Sequence, residues 1–259
     1  VSGSDEKEFE GLVALVTGAG SGIGLATTLE LVARGARVAG VDIDPSPLTA
    51  LGLGDAILPV TGDVTDENSA RRAVEEAIAH LGRLDILVNN AGIGHRGTIE
   101  VNTDEEWRQG FEVNVLGVVR FSRLALPHLR RSPVPAIVNT CSVSATTGIQ
   151  DRAVYSMTKG AMEALTRAMA ADYVGEGIRV NCVNPGTADT PWVARNLSFA
   201  EDPVAERAAL EKRQPLGRLI SAEEVAHSIA FLASPRCSGT TGTVLHVDGG
   251  MHSLYVRPK

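Results

Sequence analysis

Residues 12–42, LVALVTGAGSGIGLATTLELVARGARVAGVD, decide the fold. An apolar run at 12–16 closes on Thr17, the glycine run GAGSGIG follows, and residues 23–34 are rich in alanine and leucine. A second apolar run at 37–41 ends in Asp42. The order predicts strand, glycine turn, helix, strand. Without Cβ atoms a backbone can turn tightly and approach a pyrophosphate, whose charge is met by free N–H groups at the helix N-terminus. The spacing of Gly18, Gly22 and Gly24 departs from G-x-G-x-x-G, and a glycine run alone is often only a turn; its place between strand and helix gives it meaning. Asp42 falls about twenty residues past the glycines, where a carboxylate accepts hydrogen bonds from an adenosine ribose and repels a 2′-phosphate. No Lys or Arg stands at Ser21 or Ile43 to bind such a phosphate, so the reading is NAD rather than NADP.

Composition narrows the remainder. At 259 residues and 44% hydrophobic content the chain fills one α/β core and is short for two ordinary domains. A net charge of −7 and 4% aromatic content leave no basic stripe for phosphates and few platforms for bases, so nucleic acid is not an expected partner. Residues 1–10 are polar and acidic and predict a flexible arm; they lack the basic-then-apolar order of a signal peptide. No apolar run approaches the roughly 20 residues of a membrane span, so a soluble cytoplasmic protein is expected. Cys141, Cys182 and Cys237 are odd in number, without C-x-x-C spacing, and read as reduced structural thiols. The six histidines form no H-x-x-x-H or Cys/His cluster, so no metal is expected; His246 and His252 read as surface or structural.

Past Asp42 the alternation continues. Residues 43–55 hold two prolines and two glycines, enough to limit any helix to a short one. A strand at 56–60 leads to Asp63-Val64, residues 67–80 alternate as an amphipathic helix, and a strand at 84–88 closes on Asn89-Asn90-Ala91-Gly92. One long helix is predicted over 103–129, with Thr103 and Glu106 as its capping box and Asn114 in its interior, where a buried amide needs partners. Strands at 136–140, 179–183 and 243–247 complete the set, with a helix from Ser221 through 232 before the last. This rhythm predicts a single domain over 11–259: a Rossmann-type doubly wound parallel sheet of about seven strands with helices on both faces. Ligands then belong at the C-terminal strand ends, where Asp42, Asp63, Asn89 and Ser142 fall.

Chemistry concentrates in residues 141–164, CSVSATTGIQDRAVYSMTKGAMEA. Tyr155 and Lys159 lie four apart on a helical pattern and share one face. A phenol with an ordinary pKa of about 10 is a poor base at neutral pH; a nearby cation favours its anion, and a hydroxyl donor such as Ser142 favours it further. That combination accepts a proton from an alcohol. By itself the pair also fits a surface lysine beside a half-buried tyrosine.

Thr17 with Gly18, Gly22 and Gly24, then Asp42, Asp63-Val64, Asn89-Asn90-Ala91-Gly92, Asn114, Ser142, Tyr155-x-x-x-Lys159, Asn184-Pro185-Gly186 with Thr190, and Val247-Asp248-Gly249-Gly250 together resemble the short-chain dehydrogenase/reductase family over nearly the whole chain. The resemblance implies that the cofactor is held by Gly18, Ser21, Gly22, Ile23 and Gly24, by Asp42 and Ile43 at the ribose, and by Asp63 and Val64 at the adenine. It implies further cofactor contacts from Asn90, Ala91, Gly92, Tyr155, Lys159, Pro185, Gly186, Ala188 and Thr190. The implied catalytic set is Asn114, Ser142, Tyr155 and Lys159, in which Tyr155 moves the proton, Ser142 polarises the substrate oxygen, Lys159 holds the nicotinamide ribose, and Asn114 places a water. A homotetramer is implied as well.

Substrate choice falls to residues 187–217, expected to be a lid carrying a short helix. Arg152, three residues before Tyr155, and Arg195 and Arg213 in the lid are candidates to grip a carboxylate in bidentate fashion; each can equally be solvated or paired with lid acids. Trp192 either stacks on a sugar or anchors the lid. The segments 151–155 and 186–191 resemble a subgroup that oxidises hydroxy acids and deoxy sugar acids, the 2-keto-3-deoxy-fuconate dehydrogenases among them. Three readings stand at this point: an NAD-dependent dehydrogenase of a sugar, sugar acid or hydroxy acid; a 3-oxoacyl-carrier reductase; and a catalytically silent NAD-binding regulatory protein.

Overall fold

The computed structural model describes residues 7–256. Seven parallel strands form one sheet in the order β3-β2-β1-β4-β5-β6-β9: β1 (Val13–Thr17), β2 (Arg37–Asp42), β3 (Ile57–Thr61), β4 (Ile86–Asn89), β5 (Ala136–Thr140), β6 (Arg179–Pro185) and β9 (Val244–Val247). A small parallel pair, β7 (Ala188–Asp189) and β8 (Ile220–Ser221), lies apart from it. The helices are α1 (Gly22–Ala33), α2 (Ser46–Ala50), α3 (Glu67–Leu81), α4 (Asp104–Phe111), α5 (Gly117–Leu129), α6 (Ala153–Tyr173), α7 (Pro191–Ser198), α8 (Pro203–Arg213) and α9 (Ala222–Ala233).

All five residues of β1 are buried, because both faces of its sheet are covered. Val13 and Leu15 join the core cluster that includes Val74 of α3, Phe121 and Leu129 of α5 and Met169 of α6. Ala14 and Val16, pointing the other way at the strand's period of two, join Leu31 of α1 and Val225 and Ile229 of α9. Strand order reverses between β1 and β4, so a crevice opens where the chain leaves their C-terminal ends. The three cysteines are buried free thiols. No helix among the described residues is long and apolar enough to cross a membrane.

Three expectations need correction. The proposed arm lies outside the described residues for 1–6, but Phe9 is fully buried in the α1 and α9 core and its N–H donates to Arg34 O at 3.0 Å, so residues 7–10 are packed rather than loose. The helix expected over 103–129 is interrupted: the Thr103 and Glu106 capping box starts α4, but residues Glu112–Leu116 form a π turn before α5 continues. A π turn adds a residue to the helical ladder, and the buried Asn114 lies within it. Residues 187–217, expected to carry one short helix, carry two, α7 and α8, each with proline in its first turn.

Candidate active site

The crevice at the switch point is a cavity of about 820 Å³. Its floor is the turn between β1 and α1. Gly18 and Gly22 take φ of +65° and +52°, the left-handed region that favours glycine. A Cβ on Gly24 would lie 2.0 Å from Gly18 O, so the helix and turn meet backbone to backbone there. Asn90 ties this turn to β4: its N–H donates to Thr17 Oγ1 at 3.0 Å, and its Nδ2 donates to Thr17 O at 3.1 Å and Gly18 O at 3.2 Å. Ser21 caps α1 in extended conformation without a side-chain cap bond, and the first turn of α1 has no acidic residue. Its leading N–H groups and the helix dipole therefore face the cavity unopposed, which suits a diphosphate.

At the other end of this nucleotide trough, Asp42 accepts the Gly20 N–H at 2.8 Å on one oxygen and the Asp44 N–H at 3.1 Å on the other. Those bonds fix the carboxylate in place at the cavity wall, with the exposed Ile43 beside it. Asp63 is pinned in the same way by the Thr65 N–H at 2.8 Å and the Thr65 hydroxyl at 2.7 Å. Ser21, Ile23, Val64, Ala91, Gly92, Pro185, Gly186, Ala188 and Thr190 all line the cavity as well. Gly24 does not, since it serves by letting α1 approach Gly18.

Deeper in, α6 delivers Tyr155 and Lys159, and the end of β5 delivers Ser142. Lys159 is 4% exposed; its Nζ donates to Thr140 O at 2.7 Å and lies 5.7 Å from the Tyr155 ring centroid. Among the described residues one strong acceptor engages an ammonium that has three donors, so the remaining N–H groups are available to a ligand. Asn114 sits behind this group, outside the cavity lining: its Oδ1 accepts the Ile93 N–H at 2.8 Å, and its Nδ2 donates to Ile93 O at 2.9 Å and Thr158 Oγ1 at 3.0 Å. The amide thus locks the loop after Gly92 onto α6. The cavity brings a phenol, a buried ammonium and a serine hydroxyl to one place, which is what proton exchange with an alcohol requires.

Arginines also line the cavity. Gly97 N–H donates to Asp151 O at 3.0 Å and Ala153 N–H to Gly97 O at 3.1 Å, a bridge that sets the loop after β4 against the start of α6. Asp151 takes a left-handed φ of +56° to make it. Arg96 and Arg152 thereby face the same space as Arg213 at the end of α8. Arg96 pairs with Glu206 of α8 at 2.7 Å. Among the described residues, Arg152 has a single hydrogen bond, to Asp151 O at 3.2 Å, and no carboxylate partner. Burial pushes its guanidinium pKa down, and the charges of Arg96 and Arg213 push it the same way, against the pull of Tyr155 and Asp151. A carboxylate placed there would relieve all three. Trp192 is 38% exposed and its ring borders the same space, since a Cβ on Gly94 would lie 2.8 Å from Trp192 Cζ2 and 3.6 Å from Tyr155 Cδ2. Arg195 is not part of this group: it is exposed on α7 and does not line the cavity. Arg96 lies in the loop after β4, and no motif in the sequence marks it. Among the described residues, no three His, Cys, Asp or Glu side chains are grouped to hold a metal.

Fold and site define the class: an α/β oxidoreductase that works with a dinucleotide and a small alcohol or ketone. The family model described as Enoyl-(Acyl carrier protein) reductase matches residues 18–252. The chain is 42% identical over 247 residues to the cis-4-hydroxycyclohexanecarboxylate dehydrogenase of Sinomonas cyclohexanicum, covering 93% of this chain and 97% of that one. It is 37% identical to the 2-keto-3-deoxy-L-fuconate dehydrogenase of Xanthomonas campestris, over 93% and 80% of the two chains. Among solved structures, the 3-ketoacyl-(acyl-carrier-protein) reductase of Brucella melitensis complexed with NADH superposes with a TM-score of 0.87 at 36% identity, over 94% of this chain and 99% of that one. The chain belongs to the short-chain dehydrogenase/reductase family and takes a nicotinamide cofactor.

Proposed function

We propose that this protein is an NAD-dependent dehydrogenase that oxidises the secondary hydroxyl of a small hydroxy acid. The observation that carries the substrate class is the guanidinium of Arg152, half-buried beside two other arginines and, among the described residues, without a carboxylate of its own. The Sinomonas and Xanthomonas relatives, both named for carboxylate substrates, support the same reading. The cofactor preference rests on Asp42, whose backbone-held carboxylate receives two ribose hydroxyls and repels a 2′-phosphate, with no basic residue at Ser21 or Ile43.

The cradle of Gly18, Gly22 and the α1 N-terminus fits the cofactor diphosphate, Asp42 its adenosine ribose and Lys159 its nicotinamide ribose. When bound, the nicotinamide supplies a hydride acceptor for the carbinol carbon. The chain's own residues do the rest. Arg152, with Arg213 across from it, holds the carboxylate and so fixes which carbon faces the cofactor. Ser142 donates a hydrogen bond to the substrate oxygen. Tyr155, with the Lys159 ammonium 5.7 Å from its ring centroid, takes the hydroxyl proton as the carbonyl forms, and gives it back in reduction. Trp192 and the lid helices cover the site and keep water from it.

A carrier-linked 3-oxoacyl reductase is the second reading, favoured by the likeness to the Brucella protein. That protein was crystallised with NADH, so coenzyme choice does not separate the two readings, and the arginines do. The test is nicotinamide absorbance during turnover, with NAD or NADP, against cis-4-hydroxycyclohexanecarboxylate, sugar acids, short hydroxy acids, their neutral amides and an acetoacetyl thioester. The proposal expects NAD-linked oxidation of an acid with a far higher kcat/KM than that of its amide. Turnover confined to the thioester, or to neutral alcohols, overturns the substrate assignment.

A further inference from the structure

We propose that Ser144 is a positioning residue that fixes the Ser142 hydroxyl as a hydrogen-bond donor aimed at the substrate oxygen, an inference that rests on the role given to Ser142 above. After β5 the chain enters a 3-10 turn, Val143–Ala145, with Ser142 as its cap in extended backbone. The Ser144 N–H donates to Ser142 Oγ at 3.2 Å, and the Ser144 hydroxyl donates to the same oxygen at 3.0 Å. Both serines are buried, 7% and 4% exposed, and both border the cavity.

A hydroxyl has two lone pairs and one proton. With two donors converging on it, Ser142 Oγ has its lone pairs engaged and only its proton left to give, and the cavity is where that proton can go. The reverse arrangement, Ser142 donating to Ser144, spends the one Ser142 proton within the protein and leaves a Ser142 lone pair without a donor. The incoming bond from Ser144 also polarises the Ser142 O–H and makes it a better donor to an oxygen that gains negative charge. A lone serine would be free to rotate between donating and accepting. The pair makes Ser142 a donor before the substrate arrives.

Neutron diffraction from deuterated, NAD-bound enzyme reads the arrangement directly. The expected density has the Ser144 deuteron on the line to Ser142 Oγ and the Ser142 deuteron pointing into the cavity; a Ser142 deuteron directed at Ser144 overturns the proposal. Kinetics with cis-4-hydroxycyclohexanecarboxylate, or with the most active acid of the panel above, give the second arm. Ser144→Ala should lower kcat about tenfold, the worth of one neutral hydrogen bond, with KM, NAD affinity and melting temperature little changed. Ser144→Thr should restore kcat, and Ser144→Ala should cost nothing further in a Ser142→Ala background. If Ser142→Ala cripples the enzyme while Ser144→Ala leaves kcat intact, the positioning role is refuted. If Ser142→Ala itself is silent, the underlying assignment of Ser142 fails, and this inference with it.

Discussion

Replacing Arg152 with methionine separates binding from folding. In the free protein the guanidinium makes one bond, to Asp151 O, and faces the like charges of Arg96 and Arg213. Methionine keeps the length of the stem and removes the repulsion, so stability should hold or rise. With a carboxylate bound, the loss is two charge-assisted N–H bonds, together about 3 kcal/mol in a half-buried site. That corresponds to about a 150-fold fall in kcat/KM for the acid. The neutral amide of the same acid, which cannot pair with the guanidinium, should change by less than about threefold. Arg152→Lys keeps the charge without the fork and should fall between the two. The assay is initial-rate NAD reduction by acid and amide, with thermal melting in parallel. An equal loss for acid and amide, or a melting temperature lowered by more than about 4 °C, a fall worth over 1 kcal/mol in a chain of this size, refutes the carboxylate assignment.

Asp42→Ser should cut kcat/KM with NAD by about tenfold or more while improving NADP, measured as the ratio of the two; an unchanged ratio contradicts the role given to that carboxylate. Gly24→Ala drives a methyl to 2.0 Å from Gly18 O and 2.5 Å from Asn90 Nδ2, so it should cost about 1–3 kcal/mol or more in melting experiments and weaken NAD binding by calorimetry. Glu224 caps α9, where the Arg218 guanidinium and the Ser221 N–H hold its carboxyl pKa down to about 2. A depressed folded-state pKa contributes stability above the ordinary carboxylate value and loses it as pH falls toward 2. Glu224→Gln should therefore flatten the loss of stability between about pH 4.5 and pH 2, seen as a shallower slope of melting temperature against pH.

Patterns that repeat along the chain were legible from residues alone. The turn from Val13 to Asp42 predicted β1, α1 and β2 because burial of both sheet faces forces continuous apolar runs, and the Thr103 and Ser221 capping boxes announced α4 and α9 three residues at a time. Features that depend on a distant partner were not. Within the π turn at Glu112–Leu116, Asn114 bonds Ile93 and Thr158, 21 and 44 residues away, and no local preference records that. Phe9 looked loose within a polar arm because the core it enters is built by α1 and α9. Of the three arginines expected at the substrate, the structure brings Arg152 and Arg213 to the cavity and turns Arg195 away, a difference of helix face on α7 that composition does not reveal. Arg96 took its place through a backbone bridge between Gly97 and Arg152 that spans two segments of chain.

In the proposed mechanism Tyr155 exchanges the proton while the hydroxyl carbon is oxidised. Tyr155→Phe removes one oxygen from a residue whose ring stays beside Lys159, so NAD affinity by fluorescence titration should remain within about threefold. Single-turnover NAD reduction by the best acid substrate should slow by about 10² to 10⁴, the range for loss of a general base. Single-turnover oxidation at the wild-type rate in that variant would contradict the account.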